Sequence, residues 1–247
     1  MGDFATGLTR MSHGTGNRWH YTKHVPWYGA ALLALPRSFL IKTADKNTAN
    51  VLRLIIYHVF SKVEILERLR VELAKAAAES PAGSDGNLAL RTLEQLPYLT
   101  AVLMEGQRLS PAIGGRSQRI APDRELVYDD KWRIPTGTPV GMTVLMMHLD
   151  ERLYPDPQWF NPERWVDPES QKKAEKMFAP FSRGSRICLG MHLAWAEMCL
   201  VVSTLVRRFD FDFTGVPADH FEWESDQFTI GTKGKSELST LVTFYET

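Results

Sequence analysis

Cysteine is scarce in this chain: its 247 residues hold two, Cys188 and Cys199. That excludes a disulfide framework as the basis of the fold, and a reducing compartment fits better than an oxidising one. An excess of either charge is missing as well. Lys+Arg and Asp+Glu both number 29, for a formal net charge of zero, so neither nucleic acid nor an anionic surface is expected as a partner. Long apolar runs are also lacking. The most apolar stretch, residues 27–35, is bounded by Pro26 and by Pro36-Arg37, well short of the roughly 20 residues of a membrane-spanning helix. Residues 1–20 are polar and rich in Gly, Thr and His, without the apolar segment of a signal peptide. The expectation is a chain with no encoded membrane anchor.

What is there is an ordinary globular composition, 44% hydrophobic and 23% charged, long enough for one large domain or two small ones. Seven Trp and twelve Phe suit an apolar ligand pocket and a plain core equally. No internal repeat is present, and residues 1–24 read as loosely held. Over residues 47–60, Val51, Leu54, Ile55 and Val59 recur at helical spacing. Ser61 and Glu64 have the form of a capping box, which predicts a second helix over 61–78. Residues 80–87, made of Pro, Gly, Ser and Asp with little else, predict a loop. Pro97 suits the first turn of a third helix carrying Leu99, Val102, Leu103 and Met104, and Ser110-Pro111 stops it. The period then changes. Residues 126–134, folded about Asp129-Asp130, predict a hairpin, and 138–144 another short strand. Residues 154–168 hold four prolines and predict coil. The strongest helical pattern covers 189–207, with Leu193, Ala196, Leu200, Val201 and Leu205 along one side. Residues 211–213, 228–230 and 238–244 read as short strands. The fold class is mixed, mainly α with small β sheets.

Residues 181–190 read Phe181-Ser-Arg-Gly-Ser-Arg-Ile-Cys-Leu-Gly190, the form F-x-x-G-x-R-x-C-x-G. At average residue usage this arises by chance in roughly one chain of this size in 10⁴ or fewer. The chemistry of a cysteine-bound haem explains the spacing. Gly184 and Gly190 let the backbone pass close to a flat macrocycle where a Cβ would collide. Cys188 stands just before a long helix, whose dipole and free N–H groups favour the thiolate over the thiol. The same N–H groups can donate to the sulfur and tune it. Arg186 can pair with a haem propionate through its planar fork. The plain alternative is a buried structural cysteine beside a basic surface loop. Cys199, mid-helix and without a flanking pattern, reads as a small core residue.

With this loop the sequence resembles the cytochrome P-450 family, in particular its fungal secondary-metabolism members. Three further motifs carry the likeness. Glu105-Gly-Gln-Arg108 matches the E-x-x-R of the family's K helix, an i,i+3 spacing that puts both charges on one face. Phe160-Asn-Pro-Glu-Arg-Trp165 matches its P-E-R-W segment, and Pro97-Tyr-Leu-Thr-Ala101 the start of its K helix. The resemblance implies haem b with Cys188 as the metal ligand, and Phe181, Gly184, Arg186 and Gly190 about the cofactor. It implies Arg119 and Arg116 on the strand after the K helix, facing a propionate. It also implies a buried structural network of Glu105, Arg108 and Arg164. The likeness runs from about Thr43 to the C-terminus, the C-terminal half of the family fold. A truncated family fold is therefore expected, with 41–247 as the haem-binding portion and 1–40 a poorly matched, partly disordered segment. The family's N-terminal anchor, early helices, Trp-rich C helix and most substrate-contacting segments have no counterpart.

Two positions depart from the pattern. Aligned through Thr48-Ala49-Asn50, Lys46 takes the place of the family's catalytic acid and Asn47 that of its first alcohol. Asp45 is one residue off, about 100° away around a helix. Thr48 remains as the candidate catalytic hydroxyl for proton delivery. Gly106, inside the predicted K helix, costs about 1 kcal/mol against Ala. The resemblance implies a haem-thiolate monooxygenase that inserts one atom of O2 into a lipophilic small molecule, with electrons from an NADPH-dependent reductase. Two other readings stay open. Lys46 and Asn47 suit a haem protein without oxidative turnover, such as an isomerase, dehydratase or auxiliary binder. The missing half suits a non-catalytic remnant or incomplete gene model, whose structural sign would be an apolar patch around the cysteine loop. The expected location is intracellular, cytoplasmic or loosely associated with the endoplasmic reticulum.

Overall fold

A computed structural model describes residues 46–79, 87–110, 113–114, 118–184, 187–213, 215–227, 229–233 and 240–245. The expected loose segment 1–40, Arg116, Arg186 and Phe228 lie outside the described residues, as do the side chains of Lys46 and Asn47.

Helices α1 (Lys46–Ser61) and α2 (Val63–Glu79) pack on each other. The first buries Val51, Leu52, Leu54, Ile55 and Val59 and the second Ile65, Leu66, Leu69, Leu73 and Ala76, two apolar stripes of helical period. The break between them falls at Lys62, later than the capping box predicts. Ser61 ends α1, and the Lys62 carbonyl accepts from the N–H groups of Ile65 and Leu66 (3.0 and 3.1 Å). A short α3 (Leu90–Leu93) precedes α4 (Pro97–Leu109). Pro97 opens α4 where its missing N–H costs nothing. The next two N–H groups, of Tyr98 and Leu99, donate to the two oxygens of Glu72 (2.8 Å each), so α2 caps α4 from outside.

The predicted hairpin forms as β1 (Leu126–Tyr128) and β2 (Trp132–Ile134), with Leu126 opposite Ile134. Asp129 and Asp130 take positive φ at its turn, a conformation Asp tolerates better than most residues. The strand expected over 138–144 shrinks to one bridge between Arg119 and Val140. Pro139 cannot donate to a ladder, and the helix α5 (Val144–His148) that follows, where no element was expected, carries Leu145, Met146 and Met147, good helix formers without a branched Cβ. The predicted coil winds once into a 3-10 turn at Pro162–Trp165. Helix α6 (Pro168–Met177) follows, its N-terminus capped by the Asp167 carboxylate accepting from Ser170 N–H (2.8 Å).

Helix α7 (Met191–Arg208) begins two residues later than its pattern predicts, with Gly190 at the cap. It packs against α1, α2, α3 and α4. Met198, Val202 and Val206 join Ile55, Leu69, Leu99, Val102 and Leu103 in the main core, and Cys199 sits among them. Burial pushes that thiol up to about 12, as befits a core residue. The chain runs on into β3 (Phe209–Asp212), β4 (Trp223–Gln227), β5 (Thr229–Thr232) and β6 (Leu241–Phe244), where β3 pairs with β6 and β4 with β5. The described residues thus form a mainly helical fold with three two-stranded sheets, the expected class. None of their helices is long and apolar enough to cross a membrane.

Candidate functional site

The structure brings Glu105, Arg108 and Arg164 together. Glu105 is fully buried at the centre. Its oxygens accept Nε and Nη2 of Arg108 (2.9 and 2.8 Å), Nε of Arg164 (3.1 Å), the Asn161 backbone N–H (3.0 Å) and Nε1 of Trp165 (2.8 Å). The remaining guanidinium donors are turned to carbonyls: Arg108 Nη1 to His148 (2.8 Å) and Arg164 Nη1 to Pro155 (3.2 Å). A buried ion network survives only with its donors and acceptors matched in this way. The 3-10 turn puts Arg164 and Trp165 in place, and the Asn161 side chain starts it by accepting Glu163 N–H (3.1 Å).

His148 links this network to the cysteine loop. The imidazole is fully buried, stacked on Phe178 (5.6 Å, 15°) with Tyr154 edge-on (6.0 Å). Nδ1 lies 3.1 Å from the Arg108 carbonyl, and Nε2 accepts Ala179 N–H at 3.2 Å. Burial drives its pKa down to about 4, with the Arg108 charge acting the same way and the hydrogen bond to the Arg108 backbone opposing.

From Ala179 the chain turns into the loop. Ser182 N–H donates to the Ala179 carbonyl (3.0 Å), Ile187 N–H to Gly184 (3.1 Å), and Cys188 N–H to Phe181 (3.0 Å), which closes it. Gly184 has φ +80°. A Cβ there would meet no atom within 4 Å, so backbone conformation alone already calls for glycine. A Cβ on Gly190 would sit 3.8 Å from Cys188 Sγ, ordinary contact. Cys188 is exposed, which rules out the buried structural cysteine. The Cys188 carbonyl accepts the first N–H of α7, from Met191 (3.4 Å).

Arg119 reaches this loop: its Nη2 is 3.5 Å from Ser182 Oγ. Thr48 is buried in the first turn of α1, on a different element from the loop. The sequence reading missed Asn161, Trp165 and His148. Trp165 closed a quoted motif, but a lone His in a Met-rich stretch carries no signal.

Among the described residues no group of three or more His, Cys, Asp or Glu could hold a metal ion. Cys188 belongs to no such group, and its own donor is one sulfur. That donor set suits an iron carrying its own equatorial nitrogens, as in haem, and not a closed four-ligand zinc site. Ile187 and Leu189 flank the thiol in sequence and Leu193 follows one turn into α7, with 41%, 96% and 50% of their surface exposed. The residues present fit a flat, largely apolar macrocycle. The same apolar exposure is what a chain without the other half of the fold would show.

The family model described as cytochrome P-450 matches residues 43–236. The N-acetyltryptophan 6-hydroxylase ivoC of Emericella nidulans is 41% identical over 196 residues, covering 78% of this chain and 38% of that protein. The tryptophan 6-hydroxylase fscE of Fusarium equiseti is 38% identical, covering 78% and 37%. Conidiogenone synthase of Penicillium rubens is 42% identical, covering 73% and 35%. The chain thus spans under two-fifths of the length of these relatives. Among solved structures, retinoic acid bound cyanobacterial CYP120A1 superposes with a TM-score of 0.66 at 27% identity, over 84% of this chain and 45% of that one. The cytochrome P-450DA haem domain gives 0.65 at 19% identity, over 85% and 43%, a likeness of fold. With the family model matched over most of the chain and the cysteine loop standing at the head of α7, the chain belongs to the cytochrome P-450 family.

Proposed function

We propose that residues 41–247 are the haem-binding portion of a monooxygenase that oxidises a lipophilic small molecule in fungal secondary metabolism. Cys188 would be the axial thiolate ligand of haem b, and Arg119, Arg186 and Arg116 would pair with its propionates. Haem bound there supplies dioxygen activation and oxygen transfer, with electrons from an NADPH-dependent reductase. The chain's own part is to hold the sulfur at one point. The Cys188 N–H is tied to Phe181, Gly184 makes the turn, and the Glu105 network fixes the helix behind. Thr48 is the hydroxyl proposed for proton delivery. Two relatives named above hydroxylate tryptophan or its N-acetyl derivative, which supports hydroxylation of a small molecule as the reaction type.

The observation that carries this reading is the exposed Cys188 in its self-closed loop before α7. To test it, residues 1–247 are produced with haem supplied, reduced, and exposed to CO. The expected result is the strongly red-shifted Soret band of a thiolate-ligated ferrous complex, lost in Cys188→Ala. No haem uptake, or a band of histidine or weak ligation, would overturn the reading in favour of a non-catalytic fragment.

A further inference from the structure

We infer that His148 is a positioning residue for the cysteine loop, holding the chain that leads to Cys188 against the helix that carries Glu105 and Arg108. The inference rests on the haem-thiolate reading for its purpose, but not for its geometry. Three hydrogen-bonding groups of residue 148 are used, both ring nitrogens and the carbonyl. The Arg108 carbonyl, near the C-terminal end of α4 where helical carbonyls lack intrahelical partners, faces Nδ1 at 3.1 Å. The His148 carbonyl accepts Arg108 Nη1 at 2.8 Å, so Arg108 is clasped at both backbone and side chain. Nε2 accepts from Ala179 N–H at 3.2 Å.

A carbonyl only accepts and an amide N–H only donates, so the tautomer is fixed: the proton is on Nδ1 and the lone pair on Nε2. No other neutral side chain of this shape offers a donor and an acceptor at opposite ends of one rigid ring. Phe178 stacked on the imidazole removes its freedom to tilt, and Phe178 is itself the residue before Ala179. Two residues beyond Ala179, the Phe181 carbonyl accepts the N–H of Cys188 at 3.0 Å. The ring therefore hydrogen-bonds both to α4 and to the segment that starts the loop. Without it, the Ala179 N–H loses its acceptor and the loop loses its register to α4.

Amide hydrogen exchange on the haem-free chain tests this with three variants. His148→Gln keeps an acceptor at the Nε2 position; His148→Asn keeps only the donor side; His148→Phe keeps the ring without either. In Asn and Phe, peptides covering 179–189 are expected to exchange about tenfold faster, the factor a lost buried hydrogen bond is worth. Peptides covering 198–206 of α7 should be unchanged, and Gln should restore loop protection. If Phe fails to fold, the Asn and Gln pair decides. Loop exchange unchanged in Asn, equal in Gln and Asn, or raised to the same degree in α7, would reduce His148 to core filling and overturn the inference. Failure of the haem reading would show separately, as a wild-type chain without the thiolate-type CO band, and would leave the exchange comparison intact.

Discussion

On α4 two polar side chains, two positions apart, meet opposite fates. Glu105 carries a full charge without exposure, and its two oxygens accept five hydrogen bonds. Gln107 is neutral and also buried, yet its Oε1 has no partner among the described residues, while its Nε2 makes only a weak contact to Met198 Sδ at 3.6 Å. A charged group forces its surroundings to answer it; an amide can be left half answered at a cost of about 1–3 kcal/mol. Gln107→Met keeps the unbranched shape and removes the orphaned oxygen. It is expected to stabilise the chain by about 1 kcal/mol, seen as a higher urea midpoint at unchanged slope. An unchanged or lower midpoint would mean that the oxygen is satisfied, for example by a water.

At the scale of elements, Gly106 shows why propensity misjudges a helix. Read from sequence, it weakens α4 by about 1 kcal/mol. In the fold Ile55 of α1 occupies the space beside it: a Cβ would fall 2.2 Å from Ile55 Cγ1 and 2.5 Å from its Cδ1. Ile55 is fully buried and stiff at its branched Cβ, so it cannot swing clear cheaply. Gly106→Ala is expected to destabilise by about 1–3 kcal/mol, the usual cost of overpacking, although it improves helix propensity. In an Ile55→Ala background that penalty should vanish or reverse, a non-additivity that a double-mutant cycle in urea measures directly. Equal effects in both backgrounds would show that the two side chains do not compete for the same space.

The same contrast marks what could be read in advance. Helices α1, α2, α4 and α7 announced themselves because each buries an apolar stripe of helical period. Helix α6 did not, since Ala174 is its one buried residue and its sequence has no apolar period to find. Glu105, Arg108, Arg164 and Cys188 were recognisable by local spacing. Their joining through Trp165 and His148 was not, because it depends on contacts between residues 31 to 60 positions apart, which no local pattern records. Helix α5 went unread because five residues carry too little period to register, and the strand expected over 138–144 touches it only at Val144.

For the molecule as a whole, two histidines among the described residues, His148 fully buried and His58 half-buried, shape the response to acid. His58 is stacked on Phe160 (4.6 Å, 16°), and burial, aided by the Lys62 charge, drives its pKa down to about 3; His148 is held down to about 4, again chiefly by burial. In the unfolded chain both titrate near 6.5. Because the folded values lie below the unfolded ones, the unfolded chain takes up protons first as pH falls. Their contribution is therefore constant above about pH 7 and stability is lost as pH drops from 6.5 towards the folded values. By about pH 5 each histidine has shifted the balance by about 2 kcal/mol, together about 4, a large part of the stability of an ordinary domain. Exposed carboxylates mostly protonate below that window, so urea titrations at about pH 7.5 and about pH 5 isolate the histidines. His58→Phe keeps an aromatic ring against Phe160 and cannot be protonated, so it should cut the difference between the two conditions roughly in half. A difference that stays the same in His58→Phe would mean that protonation of His58 is not what acid exploits.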